Sequence, residues 1–543
     1  MEVNVVLIGF MGAGKSTVGR RLAERMSRPF VDLDAVIEET AGMSIPEIFA
    51  AEGEEGFRRR EADAVARVSA ECGQVIAAGG GTVMQRRNLA RLRATGVLVW
   101  LRGRLDTVLA RAQSESNGHR PLLAKPRAEL ERLYAERERV YALADHIVDV
   151  DDKTPDQVAA EIEAVLRGSD RPQAVVVNVP LPGRSYDIFV GQGLLADAGR
   201  LCVGAGVSGK GLLVTNATVG GLYGGALQRS LSLAGLRVPR VDVPDGEQYK
   251  TLDTVVRIYR AAVSYRLDRR SFFLALGGGM IGDLAGFAAA TFLRGVDFVQ
   301  VPTTLLAQVD AAVGGKVGVN LDEGKNLVGA FHQPRIVIAD VDTLQSLPTR
   351  ALAAGLAEVV KYGMTADPHL LDFLEDRMEQ LLARDRAALM RVVARSCEIK
   401  ASVVAQDERE TLGVREGLNF GHTIGHALEA ALSYSTLLHG EAVAIGMLAA
   451  AMLSARLTGL AASEVERLAA LLQRAGLPLA PPAVDPDQLL TIMRRDKKVL
   501  ADRLRFVLLE RTGRWVVRDD VPDELVLDVL REQRSIWAAT AKN

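Results

Sequence analysis

A glycine-rich loop close to the N-terminus is the first segment whose residue types could do chemistry. The run Gly9-Phe10-Met11-Gly12-Ala13-Gly14-Lys15-Ser16 follows the apolar segment VVLI and precedes the helical pattern TVGRRLAERM. Such a loop points successive backbone N–H groups at phosphate oxygens, and the helix N-terminus behind it adds positive potential. The sequence therefore predicts a nucleotide site in which Lys15 reaches the terminal phosphates and Ser16 ligates Mg²⁺. The other residues assigned to this site are Gly12, Gly14 and Thr17.

A cluster of histidines is the second such feature. Three of the seven histidines, His422, His426 and His439, lie in one short segment of the chain. His422 and His426 are four residues apart, so on a helix both face one side, as in metal-binding helices. Glu358, with Lys361 one turn later, can add a carboxylate. Spacing alone predicts that His422 and His426 are both metal ligands, and core histidines bonded to the backbone are the alternative.

Between these two features lies a second glycine turn, Gly277-Gly278-Gly279, which follows an apolar strand pattern. Gly282 and Asp283 open the helical pattern behind it, as in dinucleotide sites, although the run departs from G-x-G-x-x-G. Polar residues on the neighbouring segments sit among glycine and apolar residues rather than in runs of mixed charge, which indicates an anionic ligand. They are Glu247, Lys250, Thr303, Thr304, Asp310, Lys316, Lys325 and Asn326.

An alternation of short strands and longer helices must position these residues. Runs such as VNVVLIG and GVLVWL alternate with segments rich in Ala, Leu, Arg and Glu, which is typical of an α/β fold with parallel strands. The polar stretch SDRPQ predicts a domain boundary at 168–172. We therefore predict an α/β phosphate-loop domain with a parallel sheet over 1–168, a Rossmann-like α/β subdomain over 173–345, and an all-helical metal-binding subdomain over 346–543.

Composition narrows the class of protein. The 543 residues carry 66 basic and 68 acidic side chains, a net charge of -2, which disfavours a nucleic-acid-binding protein. Only three cysteines occur, so neither a disulfide framework nor a cysteine zinc site is expected. The N-terminus lacks the basic region of a signal peptide, and the apolar stretch from Ala442 to Ala455 ends at Arg456, short of a membrane span. We expect a cytoplasmic protein that contacts neither membrane nor nucleic acid.

Residues 1–167 resemble shikimate kinase. The motifs that carry the resemblance are the glycine-rich loop, FVDLD, GFRRRE, AAGGGTV and HRPLL. The resemblance implies that ATP and Mg²⁺ are used, that Asp32 helps to place Mg²⁺, and that Asp34 acts on the acceptor hydroxyl. It also implies that Lys15 and Arg120 assist catalysis, with Arg120 on a lid that touches ATP. The residues implied to bind shikimate are Arg58, Gly79, Gly80, Gly81 and Arg137, with Arg139 as the competitor of Arg137.

Residues 173–543 are similar to 3-dehydroquinate synthase. The motifs are PDGEQYKT, GGGMIGDLAGF, RGVDFVQVPTTLLAQVDAAVGGKVGVN, GKNLVGAFHQP, AEVVKYG, LNFGHTIGHALE and LHGEAVAIGM. The resemblance implies zinc, for which cobalt can substitute, held by Glu358, His422 and His439. His426 is then beside the metal in the substrate site, which corrects the prediction from spacing.

The same resemblance implies a cofactor site and a substrate site. NAD is expected to contact Glu247, Lys250, Gly277, Gly278, Gly279, Asp283, Thr303 and Thr304, together with Asp310 and Lys325, which also border the substrate. Residues expected to bind the substrate or to act on it are Arg294, Lys316, Asn326, Lys361, Lys400, Arg415, Asn419, His426 and one of Lys497 and Lys498, with Lys498 preferred. The segment between Lys400 and Asn419, which contains Glu410, is one residue longer than the family pattern.

The implied reaction converts 3-deoxy-arabino-heptulosonate 7-phosphate into 3-dehydroquinate and phosphate. NAD⁺ takes a hydride from one carbinol and returns it after phosphate has left, so the cofactor is not consumed. Alternatives for the first part are gluconate and nucleoside kinases, and for the second part another sugar-phosphate cyclase or a zinc polyol dehydrogenase. A regulatory protein with inactive sites is the alternative from a different class. The expected partners are small-molecule substrates, and a homodimer formed through the synthase part is also considered.

Overall fold

The computed structural model describes residues 3–115, 125–142, 144–166, 174–432, 436–495 and 504–537. The chain separates into two compact units. The first comprises Met1–Val176 and Asp197–Val207, and the second comprises Val177–Ala196 and Ser208–Asn543. Arg120, Lys497 and Lys498, which the sequence predicted as site residues, lie outside the described residues.

A five-stranded parallel sheet forms the centre of the first unit. Its order is β2-β3-β1-β4-β5, and β1 and β3 are buried along their whole length. This burial explains why these strands read as continuous apolar runs rather than as alternating ones. The strands are β1 (Asn4–Ile8), β2 (Phe30–Asp32), β3 (Val75–Ala77), β4 (Gly96–Arg102) and β5 (His146–Asp149).

Seven helices alternate with these strands. Helix α1 begins directly after the glycine-rich loop, and α3 begins with a capping box between Ser44 and Glu47. The helices are α1 (Lys15–Met26), α2 (Leu33–Ala41), α3 (Ile45–Ser69), α4 (Arg86–Thr95), α5 (Leu105–Glu115), α6 (Arg127–Tyr141) and α7 (Pro155–Leu166).

The next part of the chain, from Ala174 to Asp340, forms a seven-stranded sheet and a hairpin. The sheet order is β6-β7-β14-β11-β10-β8-β9, and the hairpin pairs β12 with β13 in antiparallel fashion. The strands are β6 (Ala174–Val179), β7 (Tyr186–Gly191), β8 (Gly211–Thr215), β9 (Arg240–Asp242), β10 (Phe272–Gly277), β11 (Asp297–Pro302), β12 (Lys316–Leu321), β13 (Gly324–Phe331) and β14 (Ile336–Asp340). The helices here are α8 (Ala198–Gly204), α9 (Ala217–Val219), α10 (Gly225–Leu233), α11 (Leu252–Ser264) and α12 (Gly279–Thr291).

Beyond residue 348 the chain is mainly helical. The helices are α13 (Thr349–Thr365), α14 (Pro368–Leu382), α15 (Arg386–Gln406), α16 (His422–Ala431), α17 (His439–Leu457), α18 (Ala462–Arg474), α19 (Pro486–Arg495) and α20 (Asp523–Trp537). The predicted fold class is confirmed, with one addition, the antiparallel hairpin of β15 (Phe506–Arg511) and β16 (Arg514–Arg518). The β-branched and aromatic residues of FVLLERTGRWVVR favour this hairpin.

Helix α17 runs through the interior of this helical part. Among the described residues it is the one helix long and apolar enough to cross a membrane by length and composition, but 83% of its apolar window is buried inside the protein. Its apolar side chains are therefore covered by the protein's own residues. The helix begins at His439, so its burial fixes the position of a predicted metal ligand.

Candidate functional sites

The first candidate site lies where three adjacent parallel strands end. β2 and β1 flank β3, with Asp32 and Leu7 both paired to Ala77. The glycine-rich loop follows β1, the segment with Asp34 follows β2, and the Gly79–Gly81 turn follows β3. Since the carboxyl ends of parallel strands meet at one edge of the sheet, residues distant in sequence converge there, as in other open α/β sheets.

The glycine-rich loop is held by its own lysine. Lys15 Nζ donates to the carbonyl oxygens of Gly9 at 2.9 Å and Phe10 at 3.1 Å, so the ammonium lies across the loop. Gly12 has a φ of 75°, and a side-chain carbon there would lie 2.0 Å from the carbonyl oxygen of Val108. This position therefore requires glycine on both conformational and steric grounds.

Two side-chain oxygens that could bind a metal ion, those of Ser16 and Asp32, meet beside the loop. Ser16 Oγ donates to Asp32 Oδ2 at 2.6 Å, and Asp32 Oδ1 accepts from the backbone N–H of Asp34 at 3.2 Å, which caps α2. A hydroxyl and a carboxylate fit the hard oxygen ligands that Mg²⁺ takes together with nucleotide phosphates. Thr17, the next residue of α1, is exposed.

The Gly79–Gly81 turn lies beside the three side chains predicted to bind shikimate, those of Asp34, Arg58 and Arg137. A side-chain carbon at Gly79 would lie 2.7 Å from Asp34 Oδ1. One at Gly80 would lie 3.2 Å from Arg137 Nη1, and one at Gly81 would lie 3.2 Å from Arg58 Nη1. The structure thus places one carboxylate and two guanidinium groups around the turn. The turn leaves room for a ligand there only because its three glycines have no side chains.

The pKa of Asp34 differs from that of an ordinary aspartate. Desolvation by the surrounding protein, with repulsion from Asp32, raises the pKa of Asp34 to about 6, although Lys15 opposes the shift. The residue nevertheless remains exposed to solvent, as a group that meets a substrate must be. Such a carboxylate titrates close to neutrality, where a general base is most effective.

Glu61, which sequence reasoning did not single out, supports this arrangement. Its side chain is buried, accepts from Arg58 Nη1 at 2.9 Å and accepts from Thr82 Oγ1 at 2.9 Å. Tyr141 OH donates to the carbonyl oxygen of Gly80 at 2.5 Å, and burial raises the pKa of Tyr141 to about 12, so it stays a donor. Arg137 lies over the ring of Phe10, with 5.6 Å between guanidinium carbon and ring centroid.

The second candidate site contains a buried carboxylate facing two imidazoles. Glu358 is fully buried in α13, and His422 Nε2 and His439 Nε2 each lie 3.6 Å from Glu358 Oε1. Neither oxygen of Glu358 receives a hydrogen bond of good geometry, although Lys361 Nζ forms an ion pair with Oε2. Leaving a buried carboxylate without hydrogen bonds is costly, unless a cation takes that place.

The outward nitrogens of both imidazoles are already engaged. His422 Nδ1 lies 3.2 Å from the carbonyl oxygen of Phe420, and His439 Nδ1 lies 3.1 Å from Glu429 Oε2. A proton on each Nδ1 directs the Nε2 lone pairs towards Glu358. One carboxylate oxygen and two imidazole nitrogens within 4.8 Å of one another fit a zinc site that keeps a position open.

The charges around this group also favour a cation. Burial by itself lowers the pKa of His439, but the adjacent carboxylates of Glu358 and Glu429 outweigh it and raise that pKa to about 10. Burial by itself raises the pKa of Glu358, yet Lys361 and His439 hold it below its usual range. His426 is adjacent, with ring centroids 5.3 Å from His422 and 6.0 Å from His439. It lies beside the triad that contains Glu358 rather than within it.

The glycine turn of the predicted NAD site follows β10. β10 and β11 are paired through Gly277 and Pro302, so Thr303 and Thr304 emerge next to the turn. Thr303 donates its backbone N–H to the carbonyl oxygen of Gly277 at 2.9 Å, and a side-chain carbon at Gly278 would lie 3.1 Å from Thr304 Cγ2. The turn therefore presents bare backbone at the start of α12.

The hairpin β12–β13 meets this turn through a lysine. Lys250 Nζ contacts Asp283 Oδ2 and donates to Asn326 Oδ1 at 2.5 Å. Burial raises the pKa of Asp283, with Lys250 opposing. Asn320, another residue that the sequence reasoning missed, donates to Glu247 Oε1 at 2.9 Å. These contacts involve six of the predicted cofactor residues, namely Glu247, Lys250, Gly277, Gly278, Asp283 and Thr303.

A group of buried polar residues lies close to Glu358, with Lys361 and Tyr362 on the same helix, α13. Tyr362, adjacent to Lys361, donates to Asp310 Oδ1 at 2.7 Å, and Lys400 Nζ donates to the same oxygen at 2.8 Å. Burial opposes ionisation of Asp310, but Lys400 and Lys361 hold its pKa well below its usual range.

Two of the cationic residues predicted to bind the substrate share one carboxylate, that of Glu410. Lys316 Nζ contacts Glu410, and Arg415 Nε lies 3.2 Å from Glu410 Oε1. Burial lowers the pKa of Lys316, and the nearby Arg415 lowers it further. Such crowding of cations is expected of an anion site.

Two further predicted substrate residues lie on other segments. Asn419 ends the 3₁₀ turn Val414–Asn419 that carries Arg415. Arg294 is exposed on the loop after α12 and makes no hydrogen bond or ion pair with the described residues.

Comparison with known proteins identifies the second part. Family models for the N-terminal and C-terminal parts of 3-dehydroquinate synthase match residues 240–354 and 355–499. The 3-dehydroquinate synthase of Citrifermentans bemidjiense is 51% identical over 339 residues, which cover 62% of this chain and 93% of that protein. The chain belongs to the 3-dehydroquinate synthase family.

Solved structures of two other synthases resemble this synthase part. The 2-epi-5-epi-valiolone synthase of Streptomyces hygroscopicus subsp. jinggangensis 5008, with NAD⁺ and Zn²⁺ bound, is 29% identical with a TM-score of 0.60, over 65% of this chain and 97% of that one. A 2-deoxy-scyllo-inosose synthase complexed with carbaglucose-6-phosphate, NAD⁺ and Co²⁺ is 28% identical with a TM-score of 0.61, over 66% and 99%. These neighbours bind NAD⁺ and a divalent metal.

The first part matches a different family. The model for shikimate kinase matches residues 11–167, which contain the whole first candidate site apart from Gly9 and Phe10. The chain therefore joins a shikimate kinase to a 3-dehydroquinate synthase and carries both enzyme activities. The resemblances stated from the sequence are confirmed at the level of family and activity.

Glu429 is the residue of the synthase site that sequence reasoning missed. It lies on α16 three residues after His426, is buried, and accepts from both Lys325 Nζ at 2.9 Å and His439 Nδ1 at 3.1 Å. Burial opposes ionisation of Glu429, but the contacts with His439 and Lys325 outweigh it and lower the pKa of Glu429 to about 2. The final glutamate of the motif LNFGHTIGHALE, spaced to share a helix face with both histidines, was the available signal.

Proposed function

We propose that the kinase part transfers the terminal phosphoryl group of ATP to shikimate, with Mg²⁺, Asp34 and two arginines as the working groups. Asp34 accepts the proton of the acceptor hydroxyl, and its raised pKa of about 6 supports that role. Arg58 and Arg137 hold the carboxylate of shikimate as planar forks. The observation that carries this proposal is the Gly79–Gly81 turn lying against all three side chains.

The phosphate loop supplies the other half of the reaction. Backbone N–H groups between Gly9 and Ser16 hold the nucleotide phosphates, and Lys15 exchanges its two carbonyl contacts for phosphate oxygens. Ser16 and Asp32 would hold Mg²⁺, which neutralises phosphate charge when it is bound. Arg120 is proposed to contact ATP from a lid, on the basis of the motif HRPLL.

We further propose that the synthase part converts 3-deoxy-arabino-heptulosonate 7-phosphate into 3-dehydroquinate. Glu358, His422 and His439 would hold zinc, or cobalt in its place, and the glycine turn after β10 would hold NAD with Asp283, Lys250, Thr303 and Thr304. Bound NAD supplies reversible hydride uptake, and the metal polarises the oxygen at the same carbon. The carrying observation is the buried Glu358 carboxylate, which lacks hydrogen bonds and faces two Nε2 atoms.

The chain's own residues orient the substrate around these groups. Lys316, Lys400, Arg415 and Arg294 neutralise the anionic ends, and Lys498 is proposed to join them. Asn326, Asn419 and His426 bind hydroxyl groups beside the metal, and Lys361 keeps Glu358 ionised. Asp310 holds Lys400 and borders both cofactor and substrate. The roles of Arg294, Asn419 and Lys498 rest on the family resemblance alone, and the domain limits 1–168, 173–345 and 346–543 are proposed as the functional divisions.

One set of assays tests both proposals on the full chain. We expect phosphate release from the heptulosonate phosphate to require NAD⁺, to stop with a zinc chelator and to resume on adding zinc, with no accumulation of NADH. Accumulating NADH would instead identify a polyol dehydrogenase. Shikimate, but not gluconate or a nucleoside, should stimulate ATP consumption in the presence of Mg²⁺. A chain inactive in both assays and lacking zinc would favour the regulatory alternative.

We also propose that the protein is a cytoplasmic homodimer joined through the synthase part. Nine of the sixteen large apolar side chains that are exposed in the described residues lie between Tyr249 and Phe331, on α11, the loop after α12 and the hairpin β12–β13. A second copy would cover this surface. Light scattering should show a dimer that Val263→Asp dissociates, whereas Leu233→Asp, at an exposed residue outside the cluster, leaves it intact. A wild-type monomer contradicts the proposal.

For the compartment, the three free cysteines support a reducing environment, which cell fractionation can test.

A further inference from the structure

Glu429 occupies a position between the predicted metal site and the predicted cofactor site. Its side chain is 5% exposed, and its two oxygens point to different partners. Oε2 accepts from His439 Nδ1 at 3.1 Å, and Oε1 accepts from Lys325 Nζ at 2.9 Å. None of the roles proposed above uses this carboxylate, although burying it requires strong compensation.

On the metal side, Glu429 fixes the imidazole of His439. An acceptor at Nδ1 keeps the proton on that nitrogen and leaves the Nε2 lone pair facing Glu358. Both histidines begin a helix, His422 in α16 and His439 in α17, but the side chain of His439 is 30% exposed against 10% for His422, so the surrounding protein restrains it less. Its orientation therefore depends on the contact with Glu429 more than the orientation of His422 depends on Phe420.

On the cofactor side, Glu429 holds the hairpin β12–β13. Lys325 is the second residue of β13, and the next residue, Asn326, accepts from Lys250, which pairs with Asp283 at the start of α12. Asn326 has a φ of 52°, a left-handed conformation that this network of contacts has to maintain. Polar contacts thus lead from Asp283 through Lys250 to Asn326, and from the adjacent Lys325 through one buried carboxylate to His439 of the metal triad.

We propose that Glu429 is a positioning residue that orients His439 towards the metal and, through Lys325, couples metal binding to NAD binding. The inference rests on the proposed function, because it presumes that a metal and NAD bind where that function puts them. Coupling of this kind is reciprocal, so each ligand strengthens the binding of the other by the same factor.

A second metal ion is the alternative role for the same residue. Ligand atoms of His426, Glu429 and His439 also lie within 4.8 Å of one another. However, the ammonium group of Lys325 already provides the positive charge next to Glu429 Oε1, and His439 Nδ1 donates to Oε2. Both oxygens are thereby satisfied by donors of this chain, so the geometry favours positioning over ligation.

Metal affinity provides the first test. The full chain is stripped with a chelator, and zinc is titrated against a chromophoric competitor. We expect one zinc ion per chain and an affinity weakened about 10–100-fold by Glu429→Gln, the range found for partners of metal-binding histidines. Glu375→Gln, which removes the carboxylate paired with Arg467 on α14 and α18, is the matched control and should bind zinc as wild type does. An affinity of Glu429→Gln within about threefold of wild type, or two zinc ions per chain, overturns the positioning role.

NAD affinity provides the second test, measured by calorimetry on zinc-loaded and zinc-free protein. In wild type, zinc should tighten NAD binding about 5–150-fold, the usual range of coupling between sites. Glu429→Gln and Lys325→Met should both abolish the enhancement, whatever the direct effect of losing Lys325 on NAD affinity in zinc-free protein. An enhancement that survives in both variants overturns the coupling. Wild-type protein that binds no zinc at all would instead refute the proposed function, and the two failures are thereby distinguished.

Discussion

The two sites of this chain handle charge in opposite ways. In the kinase part, the phosphate loop acts through backbone groups, and desolvation together with repulsion from Asp32 raises the pKa of the nearby Asp34 to about 6. In the synthase part, acids and bases are buried and paired with one another, as in the contacts of Glu358 with Lys361 and of Asp310 with Lys400.

This difference follows from what each substrate brings. A nucleotide arrives with its own charge and its metal, so the kinase has to provide positioning and one base of suitable pKa. The synthase must hold a small anionic sugar acid next to a metal and a redox cofactor, so its charges are organised before the substrate arrives, which lowers the cost of reorganisation during the reaction. Buried pairs are then sensitive to the loss of either partner.

The largest expected effect is that of Glu358→Gln. The change removes a metal ligand and the ion-pair partner of the buried Lys361, so we expect synthase turnover to fall to background. The free energy of unfolding of the synthase unit should fall by about 3–5 kcal/mol, the cost of breaking a buried pair. Phosphate release and calorimetry measure the two effects, and kinase activity in the same sample is the control. Normal turnover in this variant would show that Glu358 does not hold the metal.

Asp34→Asn should act on the kinase alone. Without a proton acceptor at the hydroxyl, we expect kcat for shikimate phosphorylation to fall about 10²–10⁴-fold, with synthase turnover unchanged. A coupled assay for ADP measures this effect. If kcat fell less than tenfold, the role of Asp34 would be reduced to binding.

Arg137→Lys distinguishes Arg137 from Arg139, which both lie on α6. Lysine keeps the charge but loses the planar fork, so KM for shikimate should rise about tenfold, equivalent to about 1.4 kcal/mol. Arg139→Lys is the matched control and should leave KM unchanged. The opposite pattern, with Arg139→Lys as the sensitive variant, would move the shikimate carboxylate to Arg139.

The pH dependence should also separate the sites. Because Asp34 works as a carboxylate and its pKa is raised to about 6, kinase kcat/KM should fall as pH decreases through about 6 and be constant above it. The decline approaches tenfold per pH unit well below that pKa. Asp34→Asn should lose this limb of the profile. A flat profile down to about pH 4.5 in wild type would show that Asp34 titrates at the ordinary value of a carboxyl group.

The smallest effect is expected for a surface pair of the kinase unit. Arg102 and Asp149 make two hydrogen bonds, but both side chains are about half exposed. Arg102→Met should therefore lower the free energy of unfolding by less than about 1 kcal/mol, as measured by urea denaturation. A loss as large as that of Glu358→Gln would contradict the distinction between exposed and buried pairs.

Local motifs made much of the kinase site predictable. The glycine-rich loop and its helix are contiguous, and the three loops at the sheet edge follow strands that the sequence marks clearly, so their meeting follows from parallel pairing. The hairpin β15–β16 was not predicted, because a short antiparallel pair within a helical region has no periodicity that distinguishes it from a connecting loop. The contact of Glu61 with Arg58 also went unnoticed, since glutamates near arginines on helices are common.

In the synthase site, residue types alone were ambiguous. Spacing on α16 predicted His422 and His426 as the ligand pair, and only the resemblance to a family replaced His426 with His439. The structure brings Glu358, His422 and His439 together from three helices, and Glu429 and Lys325 from a helix and a hairpin. No local pattern encodes such meetings, because they depend on how the helices pack.

By itself, the sequence determined the fold class, the two families, the phosphate loop and the glycine turn, all of which are written in contiguous residues. Only the tertiary structure decided which groups the buried acids face: Glu429 lies between Lys325 and His439, and Asp310 lies between Lys400 and Tyr362. The physical reason is that a buried charge is tolerated only when packing supplies its partner, and packing joins residues that are far apart in the chain.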